Sequence, residues 1–526
     1  MTASQEVGDS LDIVAWLESG APLGAEGPVE RIDTHAARIF LAGDRAWKIK
    51  RPVRLDYLDF STATARGNAL REELRLNRRT APALYVAVHA ITCADGKLAL
   101  DGPGETIDWA LEMRRFPDDA LLACRVDMGT VEEPLLRQLA DVIVDFHAGA
   151  EIGPPTGGAE RIRQVIAGNA ASMAAFGDVL DPALAAELSQ RQRALVARHA
   201  DLLDARARTG RVRHVHGDLH LGNIAVVDGV PIPFDCLEFD AALATIDVLY
   251  DLAFLLMDLW ARGLRREANI LFNRYLDRSA CDEAGTALLP LFMSMRATIR
   301  AHVAAARAHV AQDASAPAEA RDYLDLAIRL IEPVPARLVA VGGLSGTGKS
   351  TLARAIGGLL GQAPGARILR SDVLRKRRAG VPIESALSPG AYTVEASAAV
   401  YAELGDWSGN AIAAGWTVVA DAVFGSAAER AAIERVAESV GVPFSGLWLF
   451  LAEADRIRRV ASRGPDASDA TAVVARQQSE TIRAPISGWI NLSAAGDPDH
   501  LEREAIRRIG TASHIAVRSR YLPNLG

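Results

Sequence analysis

An α+β region followed by a doubly wound parallel α/β region is the fold class that this 526-residue sequence predicts, and three observations predict it. Residues 31–50 alternate apolar and polar positions at the period of two that places every second side chain on one face of a strand, with further strands over 84–92 and 109–116. Residues 131–208 and 242–331 are rich in Ala and Leu and read as helices. From residue 338 onward, short apolar strands each run into a helix, as in a parallel sheet with crossover helices. A chain this long exceeds one ordinary core and divides into two or three domains.

Taken in order, residues 1–30 hold one short amphipathic helix, Ser10–Ser19, and a loop containing Gly and Pro. Ala37–Leu41 and Ala46–Lys50 form a hairpin across a turn at 42–45, with Lys48 and Lys50 on one face of the second strand. A helix over Thr64–Arg79 carries Glu72 and Glu73, and the strands Leu84–Thr92 and Trp109–Phe116 follow. This gives the order strand, strand, helix, strand, strand before an apolar connector at 116–128. The segment 317–336 contains a helix and then Pro333 and Pro335, a short stiff joint ahead of the next strand. The expected domains are therefore 1–30, 31–316, the joint 317–336, and 337–526.

Composition narrows the function classes. Hydrophobic residues make up 49% and charged residues 24%, the balance of a globular chain. A formal net charge of -8 argues against broad non-specific nucleic-acid binding. Cys93, Cys124, Cys236 and Cys281 lack C-x-x-C spacing, so reduced thiols are expected and a zinc site is not. No apolar run is long enough to span a bilayer, and the expected compartment is the cytoplasm.

The stretch Leu338–Thr351 carries the most readable chemistry. Gly343, Gly348, Lys349 and Ser350 satisfy the Walker A pattern G-x-x-x-x-G-K-[ST], in which small residues let backbone N–H groups close around phosphate oxygens at a helix N-terminus. Gly343, Ser345, Gly346, Thr347, Gly348, Lys349, Ser350 and Thr351 are thus candidate nucleotide-binding residues. Lys349 would reach the β- and γ-phosphates, and the Ser350 hydroxyl would sit on Mg²⁺. The loop implies NTP binding but names no reaction.

A second informative stretch runs from His214 to Asp240. His216-Gly217-Asp218, then Asn223, then Asp235 beyond a hairpin follow the logic of a kinase catalytic loop. An aspartate accepts the proton of an attacking hydroxyl, while an asparagine five residues on and a second aspartate hold Mg²⁺ on ATP phosphates. His214, His216 and His220 also have spacing compatible with a metal site, a reading that leaves the Gly, Asp and Asn unexplained. Glu238 and Asp240 could hold a cationic group of the acceptor or serve as hydrogen-bonding groups in the loop. Arg296, Arg300 and Arg307 lie beside a core stripe, either as a solvated face or lining an acceptor cleft.

On these residues, 30 to about 315 resemble the aminoglycoside and choline kinase branch of the protein-kinase-like superfamily, which implies a bilobal fold. The resemblance implies Asp218 as catalytic base, Asn223 and Asp235 as metal ligands, and Asp251 as a structural anchor. It also implies Lys48 on the α/β-phosphates, paired with Glu73, although Lys50 or Glu72 could take either place. The first hairpin has no G-x-G-x-x-G.

The remaining chain resembles P-loop kinases related to gluconate kinase and polynucleotide 5′-kinase. The strands 366–372 and 416–421 each end in an acid, at the edge where doubly wound sheets place their chemistry. The resemblance implies that Asp372 orients or deprotonates the acceptor hydroxyl and that Asp421 fills the Walker B metal position. Arg375 would bind an acceptor phosphate or carboxylate, and Arg430 follows as a further substrate candidate. Arg459 and Arg463 would be lid arginines, or simply part of a solvated helix face. Gln477 and Gln478 suggest no role.

The sequence therefore reads as a kinase using ATP and Mg²⁺ at two sites on unrelated folds, each passing a phosphoryl group to a small hydroxylated acceptor. A polynucleotide 5′ end stays open as an acceptor, and membrane association is not expected. The alternatives are one catalytic domain regulated by an ATP-binding partner domain, or a P-loop switch.

Overall fold

The period-two segment 31–50 is realised with its expected hairpin as part of an antiparallel sheet in the computed structural model, which describes residues 12–510 apart from 35, 56–57, 239, 311–312, 463–466 and 483–484. The chain packs as two compact units, one within Met1–Gly158 and Asp204–Leu252, the other within Ala159–Leu203 and Ala253–Gly526. This division follows packing, whereas the one read from the sequence follows segments.

The first unit contains α1 (Ile13–Glu18), β1 (Glu30–Asp33), β2 (Ala37–Ala42), β3 (Arg45–Lys50), α2 (Ala63–Asn77), β4 (Tyr85–Ala94), β5 (Lys97–Leu100) and β6 (Glu105–Arg114). The six strands form one sheet in the order β1-β2-β3-β6-β4-β5, with all neighbours antiparallel. Strands β1 and β5 are additions to the expected order. Trp47 and Ile49 of β3 pack with Leu17 of α1 on one face. The strand period then delivers Lys48 and Lys50 to the other face, where α2 lies. The expected helix Ser10–Ser19 is seen from its Asp12 cap onward, where Asp12 accepts from the Ala15 N–H; residues 10 and 11 lie outside the described residues.

Helix α3 (Glu133–Gly149) completes this part of the unit. Helices α4 (Gly158–Ala174) and α5 (Pro182–Arg198) then fall in the second unit. The chain returns to the first through β7 (Val212–His214), the hairpin β8 (Ile224–Val227) and β9 (Val230–Pro233), and β10 (Thr245–Asp247), which pairs with β7. The helices α6 (Val248–Ala261), α7 (Arg265–Arg278), α8 (Leu289–Val310) and α9 (Ala316–Leu330) follow.

The second unit is built on five parallel strands, β11 (Leu338–Gly343), β12 (Arg367–Arg370), β13 (Val418–Asp421), β14 (Phe444–Phe450) and β15 (Ile490–Ser493), in the order β12-β13-β11-β14-β15. Both faces are covered. Leu338, Ala340, Val418, Ala420 and Trp448 enter one core, and Val339, Val341, Val419, Leu447 and Leu449 enter the other. This two-sided burial explains the unbroken apolar runs of the strands. Helices α10 (Lys349–Gly357), α11 (Ser371–Arg378), α12 (Val394–Ala413), α13 (Ala427–Val440), α14 (Glu453–Ala461), α15 (Ala472–Thr481) and α16 (Pro498–Ile509) complete it. No helix among the described residues is long and apolar enough to cross a membrane.

An edge strand leaves backbone donors and acceptors exposed, and helix α7 supplies the cover for β12. Asn273 Oδ1 accepts the Ile368 N–H at 2.7 Å, and the Ala366 carbonyl accepts from Asn269 Nδ2 at 2.9 Å and Asn273 Nδ2 at 3.1 Å. Arg367, 1% exposed, reaches into the same helical segment. It donates to Glu283 at 2.6 Å, Asp277 at 2.9 Å and Asn273 at 3.0 Å. Burial disfavours its charge, but Glu283 and Asp277 outweigh that and hold the guanidinium more basic than usual. A helix from the middle of the chain thus finishes the sheet of its carboxy-terminal part.

Removing one member of such a buried cluster strands the others. Arg367→Met is expected to lower stability by about 3–5 kcal/mol in denaturant unfolding followed by circular dichroism; an unchanged midpoint would contradict this account of the edge.

Candidate active sites

In the first unit a single buried carboxylate organises the site. Glu73 of α2 is 0% exposed and receives Lys48 Nζ on one oxygen at 2.7 Å and Lys50 Nζ on the other at 2.7 Å. Lys48 also donates to Asp235 at 2.9 Å, and Lys50 to Glu238 at 2.6 Å. Neither lysine lies on a solvated face. Burial opposes the charge on Lys48, yet Asp235, Glu73 and Glu238 hold it charged well above the usual lysine range. Burial alone would raise the Asp235 carboxyl, but Lys48 and Lys50 prevail and keep it below its ordinary value. Glu72, the neighbour open as an alternative, points outward and pairs with Arg75 at 2.6 Å.

Helix α2 also places the loops. Asn77 donates to the Glu73 carbonyl at 2.9 Å and accepts from the Cys236 N–H at 2.8 Å, fixing the residue after Asp235. Asp235 adopts φ 61°, and its N–H donates to the Tyr85 hydroxyl at 3.1 Å. Asp251 takes the anchoring part expected of it. It accepts the N–H groups of His216 at 3.2 Å and Gly217 at 2.8 Å, and contacts His147 Nε2 at 3.1 Å. Gly217 has φ +83°, and a Cβ there would stand 2.8 Å from the Leu237 Cβ, so the loop turn requires glycine.

Asp218 is thereby presented with its side chain 41% exposed. Asn223 Nδ2 donates to its Oδ2 at 2.9 Å and to its carbonyl at 3.0 Å, and His220 Nε2 lies 3.4 Å from Oδ2. His220 Nδ1 accepts from Gly222 at 3.0 Å and His216 Nε2 bonds the Phe234 carbonyl at 2.9 Å, so these histidines shape the loop. Of the two roles open for Asp240, the hydrogen-bonding one within the loop is the one seen. It caps a short helix, accepting from Ala242 N at 2.8 Å and Leu243 N at 3.1 Å, while Glu238 is engaged by Lys50.

In the second unit β11 leads through the glycine-rich loop into α10, which Gly348 caps. Gly346 has φ +86°, and a Cβ there would fall 2.5 Å from the Arg456 carbonyl, so α14 lies directly against the loop. Thr347 Oγ1 donates to the Leu344 carbonyl at 2.8 Å, and Lys349 Nζ donates to the same oxygen at 3.2 Å, folding the lysine over the loop that starts at Gly343. Ser350 and Thr351 occupy the first turn of α10, with Thr351 exposed.

The parallel register sets Asp421 level with Val341 and Arg370, at the carboxyl edge of the sheet. Arg370 Nε lies 3.4 Å from Asp421 Oδ2. Asp372 starts α11 beside them. Burial and then the neighbouring Asp421 raise its carboxyl above the ordinary aspartate value, against Arg370, Lys349 and a hydrogen bond from Ser468.

Arg375 is tucked against the Tyr392 ring, 4.7 Å from its centroid, and donates to the Ala391 carbonyl. Arg430 donates to the carbonyls of Phe424 at 2.9 Å and Gly425 at 3.1 Å, so the geometry gives it a loop-holding part and no support for substrate contact. Arg459 stands at the loop: its Nη1 would be 3.6 Å from a Cβ on Gly348. Arg463 lies outside the described residues. Arg296 lies over the Phe254 ring, and Arg300 and Arg307 pair with Glu319 of α9.

Several residues here gave no signal in the sequence. Arg456, 2% exposed, donates to the carbonyls of Ser345 at 3.3 Å and Ala475 at 3.1 Å. Gln478 accepts the Ser345 N–H at 2.8 Å. Lys376, fully buried, pairs with Asp469, which also accepts from Leu387 N and the Tyr392 hydroxyl. Only a three-dimensional arrangement distinguishes these from other polar helix residues.

The donor sets suit magnesium. That ion keeps several waters and takes one or two protein oxygens together with phosphate. The oxygen-bearing side chains that could serve in this way are Asn223 and Asp235 in the first unit and Ser350 and Asp421 in the second. No group of three or more His, Cys, Asp or Glu among the described residues could hold a metal ion.

Comparison with known proteins places Asp218 and the glycine-rich loop each within a family-model match. Residues 65–287 match the model of the phosphotransferase enzyme family, and residues 338–485 match that of the AAA domain. The uncharacterized protein Rv2004c of Mycobacterium tuberculosis is 31% identical over 465 residues, covering 86% of this chain and 90% of its own length. The same figures hold for the uncharacterized protein Mb2027c of Mycobacterium bovis. Similar solved structures include a gluconokinase from Sinorhizobium meliloti 1021, 22% identical over 34% of this chain and 93% of that one, with a TM-score of 0.25. A choline/ethanolamine kinase family protein from Mesorhizobium loti is 15% identical over 60% of this chain and 95% of that one, with a TM-score of 0.38. With a phosphotransferase-family segment and a P-loop kinase segment in one polypeptide, and relatives of that identity along most of its length, the chain belongs to the family of these mycobacterial proteins and is a phosphotransferase enzyme.

Proposed function

We propose that the protein is a bifunctional ATP-dependent phosphotransferase, with one site in segment 31–316 and another in segment 337–526, each acting on a small hydroxylated acceptor. Segment 1–30 precedes them and 317–336 joins them. The observation that supports this most is that each unit gathers a lysine and polar side chains by itself: Lys48 with Asp235 and Asn223 with Asp218 in the first, Lys349 folded over the glycine-rich loop with Asp372 beside Asp421 in the second.

In the first site Lys48, kept charged by the buried carboxylates, faces the α- and β-phosphates. Asp218, oriented by Asn223 and His220, takes the proton of the acceptor hydroxyl as its oxygen bonds the γ-phosphorus and the bond to the ADP oxygen breaks. Asn223 and Asp235 would hold Mg²⁺ there. In the second, the backbone N–H groups of the loop and Lys349 gather the phosphates, and Asp372 takes the proton. A carboxyl raised by burial is a stronger base than an exposed one. Ser350 and Asp421 would hold the metal, and Arg459, with Arg463, would face charge on the transferring group. Bound Mg²⁺ would supply neutralisation of phosphate charge at both sites. Arg375 Nε is buried without a hydrogen-bond partner among the described residues, and an anionic group on the second acceptor would satisfy it.

The direct test is mass spectrometry of phosphorylated products after a metabolite extract is incubated with Mg·ATP and wild-type, Asp218→Ala or Lys349→Ala protein. Two products are expected, each lost in a different variant. A single product, lost in only one variant, would overturn bifunctionality and leave the other site a regulator. Within the first site, Glu73→Gln should reduce Asp218-dependent transfer on the order of a hundredfold, while Glu72→Gln stays within about twofold. Steady-state rates on the identified acceptor check this, and equal effects of the two changes would contradict it.

A further inference from the structure

Both backbone polar groups of one loop residue are held by helices outside the loop. The Ser345 N–H donates to Gln478 Oε1 at 2.8 Å, and its carbonyl accepts from Arg456 Nη1 at 3.3 Å. Gln478 lies on α15 and Arg456 on α14, and Arg456 further ties the two helices through Ala475 O and Ser479 Oγ. The carbonyl of Arg456 itself is the atom that a Cβ on Gly346 would strike. Loop and helices are therefore one hydrogen-bonded assembly at a residue in the middle of the phosphate-binding turn. The surrounding side chains are cationic: Lys349 lies over the loop and Arg459 beside Gly348. Gln478 is a neutral acceptor in this setting, where a carboxylate would bond the N–H more strongly but would oppose phosphate.

We propose that Gln478 is a positioning residue of the P-loop site, whose neutral amide oxygen sets the Ser345 peptide so that the loop is shaped for nucleotide phosphates without adding negative charge. The proposal rests on the reading of Gly343–Ser350 as a nucleotide site.

The test is isothermal titration of full-length protein with Mg·ADP, with Lys349→Ala used to identify the binding event of the loop. Gln478→Ala, which removes the acceptor, should weaken that event about fivefold, the size of one neutral hydrogen bond. Gln478→Glu keeps an acceptor for the Ser345 N–H and should retain the thermal unfolding midpoint, yet weaken binding by about tenfold or more through charge. The order Gln, Ala, Glu is what separates this role from a structural one, for which Glu would bind as well as Gln. Equal affinity of Gln478→Glu and wild type would overturn the proposal, as would tighter binding by Gln478→Ala, the sign of a side chain that phosphate must displace. If Gln478→Ala does not fold, Gln478→Glu alone decides. Loss of no event in Lys349→Ala would instead refute the nucleotide reading of the loop.

Discussion

A charge taken out of water must be paired, and this constraint organises both units. Glu73, fully buried, is tolerable only because a lysine reaches each of its oxygens; those lysines in turn engage Asp235 and Glu238, so one carboxylate on a helix draws together a strand and the loop beyond the hairpin. Arg367 does the same in the second unit with the sign reversed, a buried cation gathering Glu283 and Asp277 onto the edge of the parallel sheet. In each case satisfying a charge fixes an element next to a proposed site residue: the loop of Asp235 in one, the strand leading to Asp372 in the other.

On the proposed function, the two units meet the same ligand problem differently. The first brings side chains together from distant positions, with its loop backbone pinned by Asp251 and Asp218, the proposed base, held by Asn223. The second offers the backbone N–H groups of a contiguous turn, in which Gly346 sits close against α14 and the Ser345 peptide bonds Arg456 and Gln478. One design needs long-range ion pairs to be assembled; the other needs small residues and a helix start.

This contrast explains what was legible in the sequence. The phosphate loop and the stretch from His216 to Asp235 could be read because their residues lie close in the chain and their spacing is dictated by local chemistry. The choice between Glu72 and Glu73 could not, since both lie on one helix and only packing turns one toward the lysines. Lys48 and Lys50 share a strand face, and the structure uses both. Strands β5 and β15 escaped because short strands carry little pattern. Asn269, Asn273, Arg367, Arg456 and Gln478 act across tens to more than a hundred residues of chain, where periodicity is silent. Asp240 was open as a charge for the acceptor or as a hydrogen-bonding group in the loop and is seen as the latter, while the guanidinium of Arg430, read as a substrate group, is taken up by local backbone.

On the proposed function, each unit holds its own nucleotide. Native mass spectrometry of the intact chain with Mg²⁺ and a non-hydrolysable ATP analogue tests it most directly. Two nucleotides per chain are predicted for the wild type, and one each for Lys48→Ala and Lys349→Ala. A saturating stoichiometry of one in the wild type would contradict the account.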